Sequence, residues 1–152
     1  MSHYNDFETQ ITNKDALIRA LCRCDTLLGR NWVTTDIEVH DQAQHLYGYK
    51  GDVRPEVAHV IIRKGKIHVA ANDIGFVKAE NGKYRAIISE YDQKYHNPLW
   101  QSKLYTYYNI ECSKIALEKK GMTYTEVIDD KGRIQLRSKF TVQTSSKIKV
   151  RS

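Results

Sequence analysis

The sequence predicts an α+β domain, an antiparallel sheet with two helices packed on one face. Three observations lead there. Two stretches, about 14–28 and 99–120, carry apolar residues at helical spacing. The segments around them are short and many alternate apolar with polar positions. Two tight-turn signals, Asn81-Gly82 and Asp129-Asp130-Lys131-Gly132, join such segments into hairpins. Hairpin-joined strands with segregated helices fit α+β rather than a parallel series of strand–helix–strand units.

Each element can be justified in turn. A short strand is expected over Phe7–Ile11. Thr12 or Asn13 then offers an N-cap, and Asp15 falls in the first turn, where the helix dipole favours a carboxylate. Leu17, Leu21, Cys24 and Leu28 recur at i, i+4, i+7 and i+11, and Gly29 closes the helix. Arg19 and Arg23 lie on its opposite, solvent side. Trp32–Val39 reads as a strand and 41–56 as an irregular connection rich in Tyr and Gly. Residues 57–62 are nearly all apolar, which suits a central strand. Lys64-Gly65 turns into a strand over Lys66–Ala71. Residues 73–77 and 84–88 form a hairpin across Asn81-Gly82, with Tyr84, Ala86 and Ile88 inward. After Pro98 the second helix carries one stripe at Leu104, Tyr108, Cys112 and Ile115. Ile110 and Leu117, seven apart, form another on roughly the opposite side. A helix apolar on two sides needs two partners, and a second subunit is one way to supply the second, which makes Ile110 and Leu117 candidate homodimer contacts.

The chain of 152 residues is enough for one domain with a real core, and 41% hydrophobic content supports a globular body over 1–140. Residues 141–152 read as a flexible basic tail. No apolar run is long enough to span a membrane. The polar N-terminus and three cysteines point to reduced thiols in a cytoplasmic protein. The net charge of +6 suggests a polyanionic partner, but Lys147, Lys149 and Arg151 supply half of it. Without those three, 21 basic residues face 18 acidic ones. Ten tyrosines against three phenylalanines suit interfaces and base stacking.

Several segments occur in an order that carries a resemblance. They are Ser2-His3-Tyr4, the Gly48 and Gly51 pair, Asp73 with Gly75-Phe76, and Gly132. In this order they resemble the hypothetical chloroplast reading frame thirty-five family of plastids, cyanobacteria and other bacteria. The resemblance covers most of 1–140 and implies a compact α+β domain. It implies no activity, since that family is a domain of unknown function. A longer stretch at 29–46 and the basic tail set this chain apart.

No metal or cofactor is expected. Cys22 and Cys24 point to different faces of a helix, and the histidines show no paired ligand spacing. Nucleophile, phosphate-loop and dinucleotide motifs are missing. Cys24 sits on the apolar stripe, and His59 lies within a central strand as a satisfied buried group. Glu111 falls in an apolar arc and needs a cationic partner. Glu90, Asp92 and His96, with Glu111, are candidate acid–base groups for a small enzyme. The leading candidate is a surface. Lys66 and His68 share one side of a strand, Lys83 and Arg85 point outward from the next hairpin, and Arg133, Arg137 and Lys139 point outward from the last strand. If these strands are neighbours, the sheet has an open basic face opposite its helices. Such a face binds phosphate backbones, RNA or single strands rather than duplex DNA, because no helix reads as a groove-entering element.

Overall fold

The computed structural model describes residues 3–140, so the basic tail expected at 141–152 lies outside the described residues. The architecture is α+β with mostly antiparallel strands, in a single compact unit. The chain runs through β1 (Tyr4–Glu8), α1 (Lys14–Leu21), β2 (Ile37–Tyr47), β3 (Val53–Ile62), β4 (Ile74–Lys78) and β5 (Tyr84–Ser89). It continues through α2 (Pro98–Lys119), β6 (Met122–Ile128) and β7 (Ile134–Phe140). The first five strands make an antiparallel sheet in the order β1-β5-β4-β3-β2. β1 starts at one edge, α1 and a long loop carry the chain to the far edge, and β2 to β5 meander back. β6 and β7 form a separate two-stranded sheet.

Both helices begin where capping chemistry dictates. Asn13 accepts the Ala16 N–H at the start of α1, and Asn97 accepts the Trp100 N–H at the start of α2, with Pro98 in the first helical position. α1 is shorter than its apolar stripe suggests. It ends at Leu21 with Cys22 as its C-cap, and Arg23 and Cys24 then make the tighter bonds Arg23 N–H to Ala20 and Cys24 N–H to Leu21. Thr26 then diverts the chain, bonding the Arg30 carbonyl and accepting the Leu28 N–H. Cys24 still reaches the core, whereas Leu28 is exposed.

The main core lies between the helices and one face of the sheet. Ala16, Leu17, Ala20 and Leu21 of α1 meet Val60, Ile62, Ile74, Phe76, Tyr84, Ala86 and Ile88, and Trp100, Leu104 and Tyr108 of α2 complete the layer. The Tyr108 hydroxyl accepts the Thr12 and Asn13 N–H groups, each at 3.0 Å, which fixes the entry to α1 against α2. The opposite face holds a smaller apolar cluster of Leu46, Ala58, Ile61 and Ile87, with Tyr4 and Val77 against it.

Several strands differ from expectation. Residues 41–47 and 53–56 are strand rather than connection, although the pairing of β2 with β3 shifts register between Val39 and Gln44 and between His45 and Tyr47. They extend β2 and β3, and the connection shrinks to a turn around Gly48–Asp52. β2 is an edge strand exposed on both sides for much of its length, so it lacks apolar alternation. Trp32 is buried in the loop before β2, its Nε1 donating to the Lys66 carbonyl at 2.6 Å. Residues 66–71 form no strand. A 3-10 turn over Lys64–Lys66 leads into a loop in which Ile67 and Ala71 are buried and Val69 is exposed. The Asn81-Gly82 hairpin is present, with Gly82 at φ +82°, a backbone region that glycine adopts without strain.

Gly75 is required for a different reason. A Cβ there would sit 2.5 Å from the Ala58 Cβ and 3.0 Å from Leu46. Gly75→Ala should therefore destabilise the domain by about 1–3 kcal/mol in urea denaturation. Adding Ala58→Gly should recover part of that loss, and a double variant no better than the single would show that crowding is not the cause.

Candidate nucleic-acid interface

The β6–β7 hairpin follows α2 directly and is built by its turn. The Asp129 carboxylate accepts the backbone N–H groups of Lys131 and Arg133 at 2.9 and 2.8 Å, and the Arg133 Nε–H at 2.8 Å. These bonds hold that carboxyl below its usual range, the Arg133 backbone N–H contributing most. Register follows from the turn, with Ile128 opposite Ile134, Glu126 opposite Leu136 and Tyr124 opposite Ser138. Those pairs share the face turned toward α2.

Charge pins that inner face in place. Arg23 donates to Glu111 at 2.8 Å and bridges to Glu126, while Lys114 pairs with Glu111 at 3.1 Å and also with Glu126. Arg19 makes a two-pronged bond to Glu118, 3.1 Å on each arm, and the Tyr124 hydroxyl donates to Glu118 at 2.6 Å. Arg19 and Arg23 are thus engaged in ion pairs rather than simply facing solvent. The buried Glu111 has its cationic partners. The second partner of α2 is the chain's own hairpin, and Ile110 and Leu117 are half-buried.

The outer face is different. Thr123 stands opposite Lys139 and Thr125 opposite Arg137, so hydroxyls and cations confront each other across the two strands. All four are exposed, and they border a shallow concavity of about 350 Å³. Among the described residues, no acid lies within ion-pairing distance of Arg137 or Lys139.

The other residues expected on a basic face are elsewhere. β7 is not in the same sheet as β5, because α2 intervenes. Lys66 lies in the 3-10 turn and pairs with Asp36 at 3.5 Å. His68 lies in the loop beyond, its ring near Tyr95. Lys83 precedes β5 in the hairpin turn, and Arg85 pairs with Asp6 and Glu8 across from it on the neighbouring segment. Arg133 lies before β7 and pairs through its Nε with Asp129 at 2.8 Å, its side chain remaining exposed. The face of the main sheet opposite the helices holds the small apolar cluster, so it is not an open basic surface. Of the seven residues, Arg137 and Lys139 are brought together. Thr123 and Thr125 were missed by charge-based reading, although the hairpin register would have placed them.

The acid–base candidates are dispersed. Glu90 is exposed, Glu111 sits in the charge network, and Asp92 is buried, accepting from Ser89 at 2.7 Å and from the Asn72 N–H at 3.0 Å. Burial nevertheless pushes the Asp92 carboxyl up. None of the described cavities is lined by these four residues together. Among the described residues, no three His, Cys, Asp or Glu side chains could hold a metal ion, and no helix is long and apolar enough to cross a membrane.

His96 has a structural consequence instead. Its ring is buried, stacked on Trp32 at 6.1 Å and edge-on to Trp100 at 4.8 Å, and its Nδ1 has no partner among the described residues. Burial pulls its pKa down to about 4. The unfolded chain therefore takes up this proton more readily than the folded one. Stability is full above about pH 6.5 and is lost as the pH falls toward 4, by up to about 3 kcal/mol. His96→Phe keeps a ring in the stack and should flatten denaturation midpoints across that window. An unchanged slope would assign the acid sensitivity to other groups.

Comparison with family models, curated proteins and solved structures gives no match to this chain.

Proposed function

We propose that the protein binds nucleic acid, single-stranded RNA in preference to duplex DNA, through the outer face of the β6–β7 hairpin, and acts by binding rather than catalysis. The observation that carries this reading is the cross-strand arrangement of Thr123 with Lys139 and Thr125 with Arg137. Alternate residues on a strand advance about 7 Å, so the two cations meet different phosphates along a backbone. The Thr125 hydroxyl can donate to a phosphate oxygen or pair with a ribose 2′-hydroxyl, which distinguishes RNA from DNA, whereas the Thr123 hydroxyl already donates to the Lys139 carbonyl at 3.3 Å and offers only an acceptor.

The face is only two strands wide, suited to one flexible backbone rather than a groove. Tyr124 borders the same concavity, but its hydroxyl is tied to Glu118. Recognition therefore rests chiefly on the backbone, with little sequence preference.

The test is fluorescence anisotropy with labelled single-stranded RNA and a duplex of equal length over a salt series. Two phosphate contacts predict a log–log salt slope of at least about 1.4 for the single strand. Equal or tighter duplex binding would overturn the strand preference, and no binding at the lowest salt would overturn the reading altogether.

A further inference from the structure

A second feature stands apart from the hairpin. Thr12, Asn13 and Lys14 at the start of α1, His40 and Asp41 of β2, His59 of β3, Lys78 at the end of β4 and Tyr84 of β5 line one cleft of about 520 Å³. That volume falls within the range of small-molecule sites. The chain reaches it through the irregular register of β2 against β3 between Val39 and Gln44, which re-aims the residues of this stretch.

His59 is not the enclosed core group that its strand position suggests. It is half-buried, and its Nδ1 accepts the Lys78 N–H at 3.0 Å. A neutral ring with Nδ1 used as an acceptor carries its proton on Nε2, so His59 keeps one donor beyond that bond. Lys14 and Lys78 are exposed and, among the described residues, make no ion pair. His40 is oriented by Glu38, 2.8 Å from its Nε2. At the start of α1, Tyr108 and Asn13 already take the N–H groups of Thr12, Asn13 and Ala16. The cleft's lining side chains offer two ammonium groups, a fixed imidazole donor and the Thr12 hydroxyl against the Asp41 carboxylate, with Glu38 behind the cleft on His40 and Asp15 near Tyr84.

We propose that this cleft binds a phosphorylated ligand of nucleotide size, with Lys14 and Lys78 on the phosphate and His59 donating to it. Charge-assisted bonds from ammonium groups are the strong ones for a phosphate, and the remaining volume holds the organic part. The chemistry is shared by a free nucleotide and by one nucleotide of a strand. The site is independent of the hairpin face.

Titration calorimetry on the full chain, with adenosine 5′-monophosphate as probe, tests this directly. A dissociation constant below about 1 mM is expected, with adenosine lacking its phosphate failing to bind at the same concentration. The Lys14→Ala/Lys78→Ala double variant should weaken binding at least about tenfold while keeping its thermal midpoint, and Asp41→Asn should tighten it. Arg137→Glu/Lys139→Glu should leave it unchanged, which separates this site from the hairpin. A trinucleotide that binds more tightly than the monophosphate, through the same lysines, identifies a strand as the source, and the reverse order identifies a free nucleotide. No binding by wild type, equal binding of adenosine, or an unaffected double lysine variant would overturn the proposal.

Discussion

Asp73→Ala should cost about 3–5 kcal/mol of stability, the largest loss expected from any single substitution considered for this chain. Asp73 is buried to 1% exposure. Its Oδ2 accepts the Tyr47 N–H at 2.7 Å and the Arg63 guanidinium at 2.8 Å, and its Oδ1 accepts the Lys64 N–H at 2.7 Å. Its own N–H donates to the Tyr47 carbonyl at 3.0 Å, and its carbonyl accepts the Tyr4 hydroxyl at 2.7 Å. One residue thus ties the end of β2, the turn after β3 and the first strand together. Alanine leaves two backbone donors without a partner, each costing about 1–3 kcal/mol. Arg63 keeps its pair with Glu38, at 2.9 Å, which limits the electrostatic part of the loss. Asp73→Asn retains one acceptor oxygen and should cost markedly less. Urea denaturation measures both. A loss under about 1 kcal/mol for the alanine variant would mean that water replaces the carboxylate at both amides.

Arg137→Glu/Lys139→Glu should lower affinity for single-stranded RNA about a hundredfold at low salt and reduce the salt slope by about 1.4. Each removed phosphate contact accounts for roughly a factor of ten, and the introduced acids add repulsion. The thermal midpoint should hold, because both side chains are exposed and unpaired among the described residues. The informative comparison is Lys66→Glu/Arg85→Glu. Those residues are engaged by Asp36, Asp6 and Glu8, so that pair of changes should affect binding little while disturbing local ion pairs. If instead the second pair abolishes binding and the first does not, the nucleic-acid surface lies away from the hairpin and the hairpin assignment fails.

Much of the secondary structure was legible because it rests on local chemistry. Asn13, Pro98, Asn81-Gly82 and Asp129–Gly132 act within a few residues of themselves, and each marks its boundary. The 66–71 segment misled because Ile67, Val69 and Ala71 alternate like a strand. Packing instead buries the first and last in a loop under Trp32. The site was harder. Arg137 and Lys139 are exposed, as strand alternation predicts, whereas Lys83 and Arg133 lie in turns before their strands. Whether those strands share a sheet is decided by α2, which diverts the chain to build a second one. Ion pairing is equally nonlocal: nothing near Arg85 in sequence announces Asp6 and Glu8 as partners. The same holds for the cleft, whose residues come from five separate segments.

The division into two sheets has a dynamic consequence. Neither apolar cluster draws a described residue from β6 or β7, so the core of the five-stranded sheet does not depend on them. The hairpin is held by α2, Arg23 and a few half-buried side chains, and this makes it a separate opening unit. Its amide protons can exchange with solvent through an excursion that leaves the larger sheet shut. A ligand lying across both strands would stitch them together and lengthen the lifetime of the closed state. Occupancy would then register as slowed exchange in two strands, with the rest of the molecule keeping its own rate.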